Sequence, residues 1–332
     1  MIASQVLESF REAQVLVTGG TGMIGRQVVD LLCAAGARVR TVSLDRLVLR
    51  PEVAHESGDL TDLRFCEQVT RGLDVVLHVA GVKGTPRTSS SMVASHFVPT
   101  LMLTTNVLEA CRRNGVPRVL FTSSIGAYES GAVQVEGDPG VYSGPPMDFA
   151  GWAKRMGELQ VLAYQRQYGL NSYSIVRPAN VYGPGDDFDP ETAMVVGSLI
   201  GRIAAGEDPV VVWGDGSAVR DFVYSRDVAE GMLLAVYHGT GPRYVNLGAG
   251  RGYSVRDLVE TLAQIVPFHY CFDASKPAGY PRRVMDIALA RKLIHYQPTT
   301  SLRDGLAATW DWFQAHRHEY LQRQNYFTET SP

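Results

Sequence analysis

The stretch Val15-Leu16-Val17-Thr18-Gly19-Gly20-Thr21-Gly22-Met23-Ile24-Gly25-Arg26 decides the fold of this chain. Its apolar start is typical of a strand that is buried on both faces of a parallel sheet. Glycines follow at once, and a helical pattern then runs from Met23 to Ala35. At such a strand-turn-helix unit, glycines permit positive φ and the close approach of a pyrophosphate, while the helix N-terminus attracts the anion. The stretch therefore predicts a dinucleotide site.

The glycines fit both Gly20-x-Gly22-x-x-Gly25 and Gly19-x-x-Gly22-x-x-Gly25. Either match alone is weak evidence, because glycine is common in loops. The context strengthens it, since a second apolar strand, residues 39–42, follows the helix and ends near Asp45.

The residues after this second strand bear on the choice of dinucleotide. An acidic residue there hydrogen-bonds the ribose of NAD, whereas a small residue followed by Arg admits the phosphate of NADP. Ser43, Asp45 and Arg46 offer both patterns. We favour NAD because Asp45 would repel a 2′-phosphate if it faced the ribose, and NADP stays open.

The composition indicates a globular protein with a large core, since 45% of the 332 residues are hydrophobic. The formal net charge is only -3, and the scattered Lys and Arg residues indicate no nucleic-acid or membrane partner. Four cysteines without a Cys-x-x-Cys pair favour reduced thiols and no metal. Residues 1–14 lack the features of a signal peptide, and no apolar run approaches the ~20 residues of a membrane span, so the cytoplasm is the expected location.

Strands alternate with helices as far as residue 177, which predicts an α/β fold with a doubly wound parallel sheet. Its ligand crevice should lie at the carboxyl ends of the strands. Residues 126–147, rich in Gly, Pro and Ser, predict a long functional loop before a helix over 152–168. Two runs, 210–213 and 220–224, flank a Gly-Asp-Gly-Ser turn and predict a hairpin.

The later part of the chain loses the strict alternation. We therefore expect a dinucleotide-binding domain over 1–180 and a smaller α/β substrate lobe over 181–332, with the chain free to cross between them. The cleft between the two is the expected place for a substrate.

Several motifs, in this order, resemble the extended short-chain dehydrogenase/reductase family, which has a Rossmann fold. The resemblance covers nearly the whole chain and is strongest to the NAD(P)-dependent nucleotide-sugar epimerases, dehydratases and reductases, in particular the GDP-fucose synthase-like branch. Besides the glycine turn, it rests on Gly58-Asp59-Leu60, His78-Val79-Ala80-Gly81, Asn106-Val107-Leu108-Glu109-Ala110, Thr122-Ser123-Ser124, Arg177-Pro178-Ala179-Asn180-Val181-Tyr182-Gly183-Pro184, and Gly214-Asp215-Gly216-Ser217 with Arg220-Asp221-Phe222-Val223-Tyr224.

The resemblance implies roles for individual residues. The catalytic groups are Ser124 and Lys154. The cofactor contacts are Gly19, Gly22, Met23, Ile24, Gly25, Asp45, Arg46, Asp59, Leu60, Ala80, Gly81, Lys154 and Pro178. The nucleotide-diphosphate sugar, GDP- or UDP-linked, is held by Lys83, Ser124, Asn180, Arg220 and Arg282 or its neighbour Arg283. The family also implies a homodimer through the helices near 91–114 and 152–168.

One position departs from the family. Its members carry a Tyr four residues before the Lys, so that the cation lowers the phenol pKa for proton transfer. Ala150 stands there and cannot move a proton. Three interpretations are open: an engineered knockout, a binding protein without catalysis, or a native replacement by another acid/base group. We favour the native replacement, for which the candidates are Tyr128, Glu129, Tyr142 and Asp148.

A second departure concerns the branch. GDP-fucose synthases use a Cys next to the catalytic Ser and a His in the loop after the Asn-x-Tyr-Gly-Pro motif. Here Ile125 follows Ser124, and residues 185–194 contain no His. The double epimerisation is therefore not expected. The remaining implication is hydride transfer at C4 of an NDP-hexose, in an epimerase or a 4-ketoreductase, and the alternative is a catalytically weak or inactive NAD(P)-binding sensor.

Overall fold

A computed structural model describes residues 2–82, 91–129, 134–136 and 144–320. Its strands are β1 Gln14–Thr18, β2 Arg38–Ser43, β3 Ala54–Ser57, β4 Val75–His78, β5 Arg118–Thr122, β6 Tyr173–Pro178, β7 Asn180–Tyr182, β8 Val210–Trp213, β9 Val219–Arg220, β10 Phe222–Tyr224, β11 Tyr244–Leu247, β12 Tyr253–Ser254, β13 Tyr270–Asp273 and β14 Arg282–Arg283. Its helices are α1 Ser4–Glu8, α2 Met23–Ala34, α3 Leu63–Val69, α4 Val93–Arg113, α5 Phe149–Tyr168, α6 Val195–Ala204, α7 Ser225–His238, α8 Val255–Ile265, α9 Ala288–Ile294, α10 Leu302–Ala315 and α11 Arg317–Tyr320.

Seven parallel strands form the central sheet in the order β11-β6-β5-β4-β1-β2-β3. The strand order reverses at β1, which lies between β2 and β4, so the crevice at the carboxyl end of β1 is the topological switch point. Helices cover the sheet, with α4 packed on α5 and α2 on α7. The predicted doubly wound parallel sheet is confirmed. In the part of the chain that the structure describes, no helix combines the length and the apolar character needed to cross a membrane.

Buried apolar side chains form two clusters. The first surrounds the seven-stranded sheet and includes residues of α7 and β11. The second lies in the later part of the chain and includes Tyr182, Phe188, Leu258 and Phe313. The chain beyond residue 181 therefore contributes to both clusters. The predicted boundary at residue 180 stays a prediction.

The predicted hairpin is wrong. Strand β8 pairs in parallel with β13, whereas β9 pairs with β12 and β14, and β10 pairs with β7. The turn between the two runs does exist, because Gly214 and Gly216 both have positive φ. A local turn signal does not specify which strands pair beyond it, and here more distant segments provide the partners.

Helix α5 begins at Phe149, three residues before the predicted start. Asp148 is its N-cap, and the Asp148 Oδ1 atom accepts a hydrogen bond from the Gly151 N–H at 2.7 Å. A capping carboxylate satisfies one of the free N–H groups of the first turn, which extends the helix towards the loop. Ala150 and Lys154 therefore lie on the same helix, one turn apart.

A buried ion pair fixes α5 against the sheet. Glu158 of α5 and Arg177 of β6 are 0% and 1% exposed, and two hydrogen bonds of 2.7 Å join their carboxylate and guanidinium groups. Ser123, at the end of β5, donates to the same carboxylate. The guanidinium carbon of Arg177 lies 3.6 Å from the ring centroid of Tyr244 and 4.3 Å from that of Tyr128. The pair therefore connects α5, β5, β6 and β11.

Arg177→Met should lower the free energy of unfolding by about 3–5 kcal/mol, because it leaves the Glu158 carboxylate buried without its counter-ion. Denaturant unfolding of the full chain measures the change. The double variant Glu158→Leu/Arg177→Met should lose less stability than the single variant, since it removes both charges. An Arg177→Met variant as stable as the wild type would show that Arg177 is not the essential counter-ion of Glu158.

Candidate functional site

The glycine turn has the geometry of an anion site. Gly19 has φ +68, and its N–H donates to the Val42 carbonyl oxygen at 2.7 Å. A Cβ atom on Gly25 would lie 2.1 Å from the Gly19 carbonyl oxygen, so only glycine fits there. Gly22 is the N-cap of α2 and makes no side-chain cap hydrogen bond to the helix. The residues present therefore fit a dinucleotide, because the N–H groups of the first turn of α2 stay available for a pyrophosphate.

Asp45 lies beside this turn. The Thr21 hydroxyl donates to the Asp45 Oδ2 atom at 2.8 Å, and the Leu47 N–H donates to the Asp45 Oδ1 atom at 3.0 Å. Arg46, by contrast, is exposed. The structure thus holds the carboxylate at the end of β2, as the NAD interpretation requires.

The residues expected at the adenine lie at the same edge of the sheet. The Gly58 N–H donates to the Ser43 carbonyl oxygen at 3.0 Å, which brings the segment after β3 next to the end of β2. Asp59 is exposed there, and Leu60 is buried. The structure therefore brings Asp45, Asp59 and Leu60 into one region.

Lys154 lies where β4 and β5 end. Its Nζ atom donates to the Thr122 carbonyl oxygen at 2.8 Å, and a Cβ atom on Gly81 would lie 3.2 Å from Nζ. Burial lowers the pKa of Lys154 to about 8, and the charge of Glu158 opposes that shift. The ammonium group is therefore next to the Ala80-Gly81 segment, which was expected to line the cofactor's path.

His78 is a site residue whose role the sequence did not indicate. Its Nδ1 atom lies 2.8 Å from the Thr18 hydroxyl, which also accepts hydrogen bonds of 3.2 Å from the N–H groups of Val79 and Ala80. Burial, with the charge of Lys154, lowers the pKa of His78 to about 3, so the ring is neutral. The ring therefore ties the end of β1, where the glycine turn begins, to the end of β4.

Ser124 and Asp148 both lie near Gly126. A Cβ atom on Gly126 would be 3.5 Å from the Ser124 Oγ atom and 3.8 Å from the Asp148 Oδ1 atom. Ser124 is half-buried, and Asp148 is exposed. Because Asp148 precedes Ala150 by two residues, a hydroxyl and a carboxylate lie around the helix turn in which the family has its Tyr.

Tyr128 does not fit the role of replacement acid/base group. Its side chain is buried, and its hydroxyl donates to the Asn246 Oδ1 atom at 2.8 Å. Burial raises its pKa well above the ordinary value. Tyr142 and Lys83 lie outside the described residues. The backbone of Glu129 forms an isolated antiparallel β-bridge with Pro146, in the segment that leads to Asp148.

Two arginines lie side by side in the second half of the chain. Arg220 of β9 and Arg283 of β14 are direct partners in a parallel ladder. The Arg220 guanidinium donates to the carbonyl oxygens of Tyr280 at 2.6 Å and Ala278 at 3.2 Å. Burial lowers the pKa of both arginines, and the charge of Arg283 lowers that of Arg220 further, whereas Tyr280 and, less strongly, the charge of Asp148 oppose the lowering of the Arg283 pKa. Two cationic side chains therefore lie side by side on one face of this small sheet.

Arg282 is separated from this pair. Successive strand residues point to opposite faces, so Arg282 shares the face of Val219 and lies near Gly252. Of the two expected neighbours, the structure pairs Arg283 with Arg220. Asn180 is close by, since its Nδ2 atom donates to the Asp221 carbonyl oxygen at 3.1 Å. Pro178 is the last residue of β6 and is buried.

Trp213 extends the surface next to Arg220. Its ring is 62% exposed, and the Lys276 Nζ atom lies 6.0 Å from the ring centroid. A Cβ atom on Gly214, the next residue, would lie 2.8 Å from the Ala278 Cβ atom, and the Ala278 carbonyl accepts from Arg220. Sequence reasoning missed Trp213. The only signal for it was an aromatic residue placed directly before the Gly-Asp-Gly turn.

A parallel sheet with this glycine turn at its switch point and a lysine at the ends of the neighbouring strands defines a dinucleotide-dependent enzyme. The chain belongs to the NAD dependent epimerase/dehydratase family, whose model matches residues 15–248. It is similar to GDP-L-fucose synthase 1 of Arabidopsis thaliana, with 31% identity over 92% of this chain and 94% of that protein. It is also similar to dTDP-4-dehydro-6-deoxy-D-allose reductase of a Streptomyces species, with 30% identity over 91% and 97% of the two chains.

The fold is similar to that of UDP-glucose 4-epimerase from Thermotoga maritima, solved with UDP-glucose. The TM-score is 0.79 and the identity 28%, over 92% of this chain and 99% of that one. These comparisons confirm the expected family, the fold and the NAD(P)-dependent class of chemistry. The roles of individual residues stay predictions.

Asp45→Ala should weaken NAD binding by about 10–100-fold, since a hydrogen bond to a charged group contributes about 1.5–3 kcal/mol. NADP binding should weaken less or improve, because the repulsion of a 2′-phosphate is removed. Calorimetric titration with both dinucleotides measures the two affinities. Asp30→Ala, which removes an equal charge from the C-terminal half of α2, should change neither affinity. Equal weakening for NAD and NADP would contradict the assignment of Asp45 to the ribose.

Proposed function

We propose that this enzyme transfers a hydride at C4 of a nucleotide-diphosphate hexose, as an epimerase or a 4-ketoreductase. The observation that carries the proposal is the Arg220–Arg283 pair, in which two guanidinium side chains are direct partners in one parallel ladder. Planar guanidinium groups bind phosphate oxygens with two donors each. A diphosphate bound there would direct the attached sugar towards Ser124 and Lys154.

The remaining residues fit the same arrangement. The glycine turn would hold the dinucleotide, with Asp45 at a ribose and Lys154 at the nicotinamide ribose. When bound, the nicotinamide supplies or accepts the hydride at the sugar carbon. The Ser124 hydroxyl would hydrogen-bond the reacting sugar oxygen. Trp213, exposed beside the arginines, would stack on the base of the nucleotide, because an open aromatic face favours a flat ring.

The type of reaction follows from what the site lacks. Ile125 is buried after Ser124 and has no acidic or thiol group. Residues 185–194 contain no His. The Cys and His pair with which GDP-fucose synthases exchange protons at the carbons next to the ketone is therefore absent from these two segments. The name of the Streptomyces relative, a reductase of a 4-dehydro sugar, supports reaction at C4 alone.

Incubation with GDP-, UDP- and dTDP-linked hexoses and their 4-keto forms, with NAD(H) or NADP(H), should give turnover with at least one of them. Reduced-cofactor absorbance detects net oxidation or reduction, and NMR of the sugar detects epimerisation. Arg283→Gln should raise the KM for the nucleotide sugar by about tenfold or more, because a charged hydrogen bond to phosphate is lost.

Arg282→Gln is the matched comparison, since it makes the same change on the opposite face of the strand and should alter the KM little. Turnover with no nucleotide sugar, by the wild type or by Ala150→Tyr, would overturn the proposal. If the protein bound the dinucleotide tightly but turned over no nucleotide sugar, the result would favour the alternative, a binding protein without catalysis.

A second copy of the chain is the proposed partner of α4 and α5. Val98 and Met102 of α4 are exposed one turn apart, and Trp152 and Leu159 of α5 are also more than a third exposed. Apolar residues at these helical spacings form a stripe that a matching stripe of another copy would bury. We therefore propose a homodimer.

Met102→Glu should convert the dimer to a monomer, because it places a charge in the centre of the proposed interface. Light scattering coupled to size exclusion measures the mass. Val48→Glu introduces the same charge at an exposed apolar residue elsewhere and should leave the dimer intact. A monomeric wild type would contradict the proposal.

A further inference from the structure

A short segment of the long loop, residues 134–136, lies against the later part of the chain. Gln134 is 3% exposed and forms an isolated parallel β-bridge with Met285. Its carbonyl oxygen accepts a hydrogen bond from the Asp286 N–H at 3.0 Å. Met285 follows Arg283 by two residues. The segment is therefore joined to the chain that carries one of the two arginines proposed for the diphosphate.

The Glu136 carboxylate holds this segment in place with both of its oxygen atoms. Oε1 accepts hydrogen bonds from the N–H groups of Asn246 at 2.7 Å and Ala290 at 3.0 Å. Oε2 accepts from the N–H group of Leu289 and, at 3.2 Å, from that of Ala290. Asn246 is in β11 of the central sheet, and the other two residues are in the first turn of α9. One side chain thus joins the loop to two elements, and each of its oxygens acts as an acceptor.

We propose that Glu136 is a positioning residue for Arg283, and through it for the diphosphate of the nucleotide sugar. The inference rests on the proposed function, because it takes Arg283 as a phosphate-binding residue. Strand β14, which carries Arg283, is only two residues long. So short a strand is held weakly by its own ladder, and its position depends on how the chain beyond it is fixed. Glu136 fixes that chain at Leu289 and Ala290, a few residues further on.

A second carboxylate holds the same chain from the side of Arg220. The Asp221 N–H donates to the Arg283 carbonyl oxygen at 2.9 Å, and the Asp221 Oδ2 atom accepts from the Met285 N–H at 3.3 Å. Asp221 directly follows Arg220. Met285 therefore lies between Asp221 and the bridge to Gln134. Asp221 holds the two arginine strands together, and the loop segment fixes the chain that leads away from them.

The same segment contacts the chain that follows Ser124. The Tyr128 hydroxyl oxygen lies 3.3 Å from the Val135 carbonyl oxygen. Tyr128 is four residues after Ser124. Residues 134–136 therefore connect the part of the site that carries the serine hydroxyl with the part that carries Arg283. A nucleotide sugar held by both parts depends on their relative position, because a small misplacement of the reacting groups is costly.

Glu136→Gln tests the proposal, because it keeps the size of the side chain but places an amide donor against backbone N–H groups. Burial raises the pKa of Glu136 to about 7, so binding is measured above that pH, where the carboxylate is ionised. The dissociation constants of UDP, GDP and dTDP are measured by calorimetry. For each nucleotide that the wild type binds, the constant should rise by about tenfold. The affinity for the dinucleotide should change by less than about twofold.

Kinetics and a double variant separate positioning from a general loss of structure. In Glu136→Gln the KM for the nucleotide sugar should rise by about tenfold, while kcat should change by less than about threefold. In the Arg283→Gln background, Glu136→Gln should weaken nucleotide binding by less than about twofold further, since the guanidinium that it positions is gone. A merely structural role would give the same loss in both backgrounds.

Asp227→Asn is the matched control. Asp227 is also a buried carboxylate, 4% exposed, and it accepts hydrogen bonds from the N–H groups of Thr299 at 3.0 Å and Thr300 at 3.2 Å. It joins α7 to the segment before α10 rather than to β14. The change should lower the temperature of thermal unfolding, as Glu136→Gln does, but leave nucleotide affinity unchanged.

Nucleotide binding that is equally tight in the wild type and in Glu136→Gln would overturn this inference and leave the proposed function intact. So would an equal loss in the wild-type and Arg283→Gln backgrounds. If Glu136→Gln does not fold, Tyr128→Phe takes its place, because it removes the hydroxyl next to Val135 and keeps the ring. It should weaken nucleotide binding by about threefold, and unchanged binding would overturn the inference. Absence of nucleotide binding by the wild type would overturn both proposals together.

Discussion

The buried pair of Glu158 and Arg177 is the interaction on which the site depends. Two buried charges are costly to desolvate, and this cost is offset only when the geometry is good and the remaining hydrogen-bonding groups are satisfied. Here two hydrogen bonds join the charges, Ser123 donates a third, and aromatic faces lie against the guanidinium. Lys154 is one helical turn before Glu158, and Ser124 follows Ser123. The pair therefore sets the distance between the helix that carries the cation and the strand end that carries the hydroxyl.

The sequence was enough to predict the central sheet because its signals are local. Apolar runs between helical patterns mark β1, β2, β4, β5 and β6, and parallel connections leave few ways to assemble them. The same reasoning gave the wrong strand pairing for β8 to β10. Each is a short strand whose partner is distant in sequence, and the turn at Gly214 indicated only that the chain reverses there. Partner choice is a tertiary property that neither periodicity nor turn chemistry specifies.

The candidate site was predictable to the extent that single motifs define it. The glycine turn, Ser124 and Lys154 belong to local patterns, and the structure places each at the carboxyl edge of the sheet. The sequence offers no reason to choose between Arg282 and Arg283 as the phosphate-binding residue. Only the pairing of Arg283 with Arg220 in the parallel ladder distinguishes the two. The roles of His78 and Trp213 depend likewise on contacts across the fold, with Thr18 in one case and with the surface next to Arg220 in the other.

The site is assembled from two parts that draw on different contacts. The dinucleotide part rests on β1, its turn and the neutral ring of His78, which joins β1 to β4. The other part is the first turn of α5, where Asp148 caps the helix and Ala150 stands at the position of the family's Tyr. A change at Ala150 removes no contact of the glycine turn. A fold with this division tolerates a change at position 150 while the dinucleotide site keeps its shape.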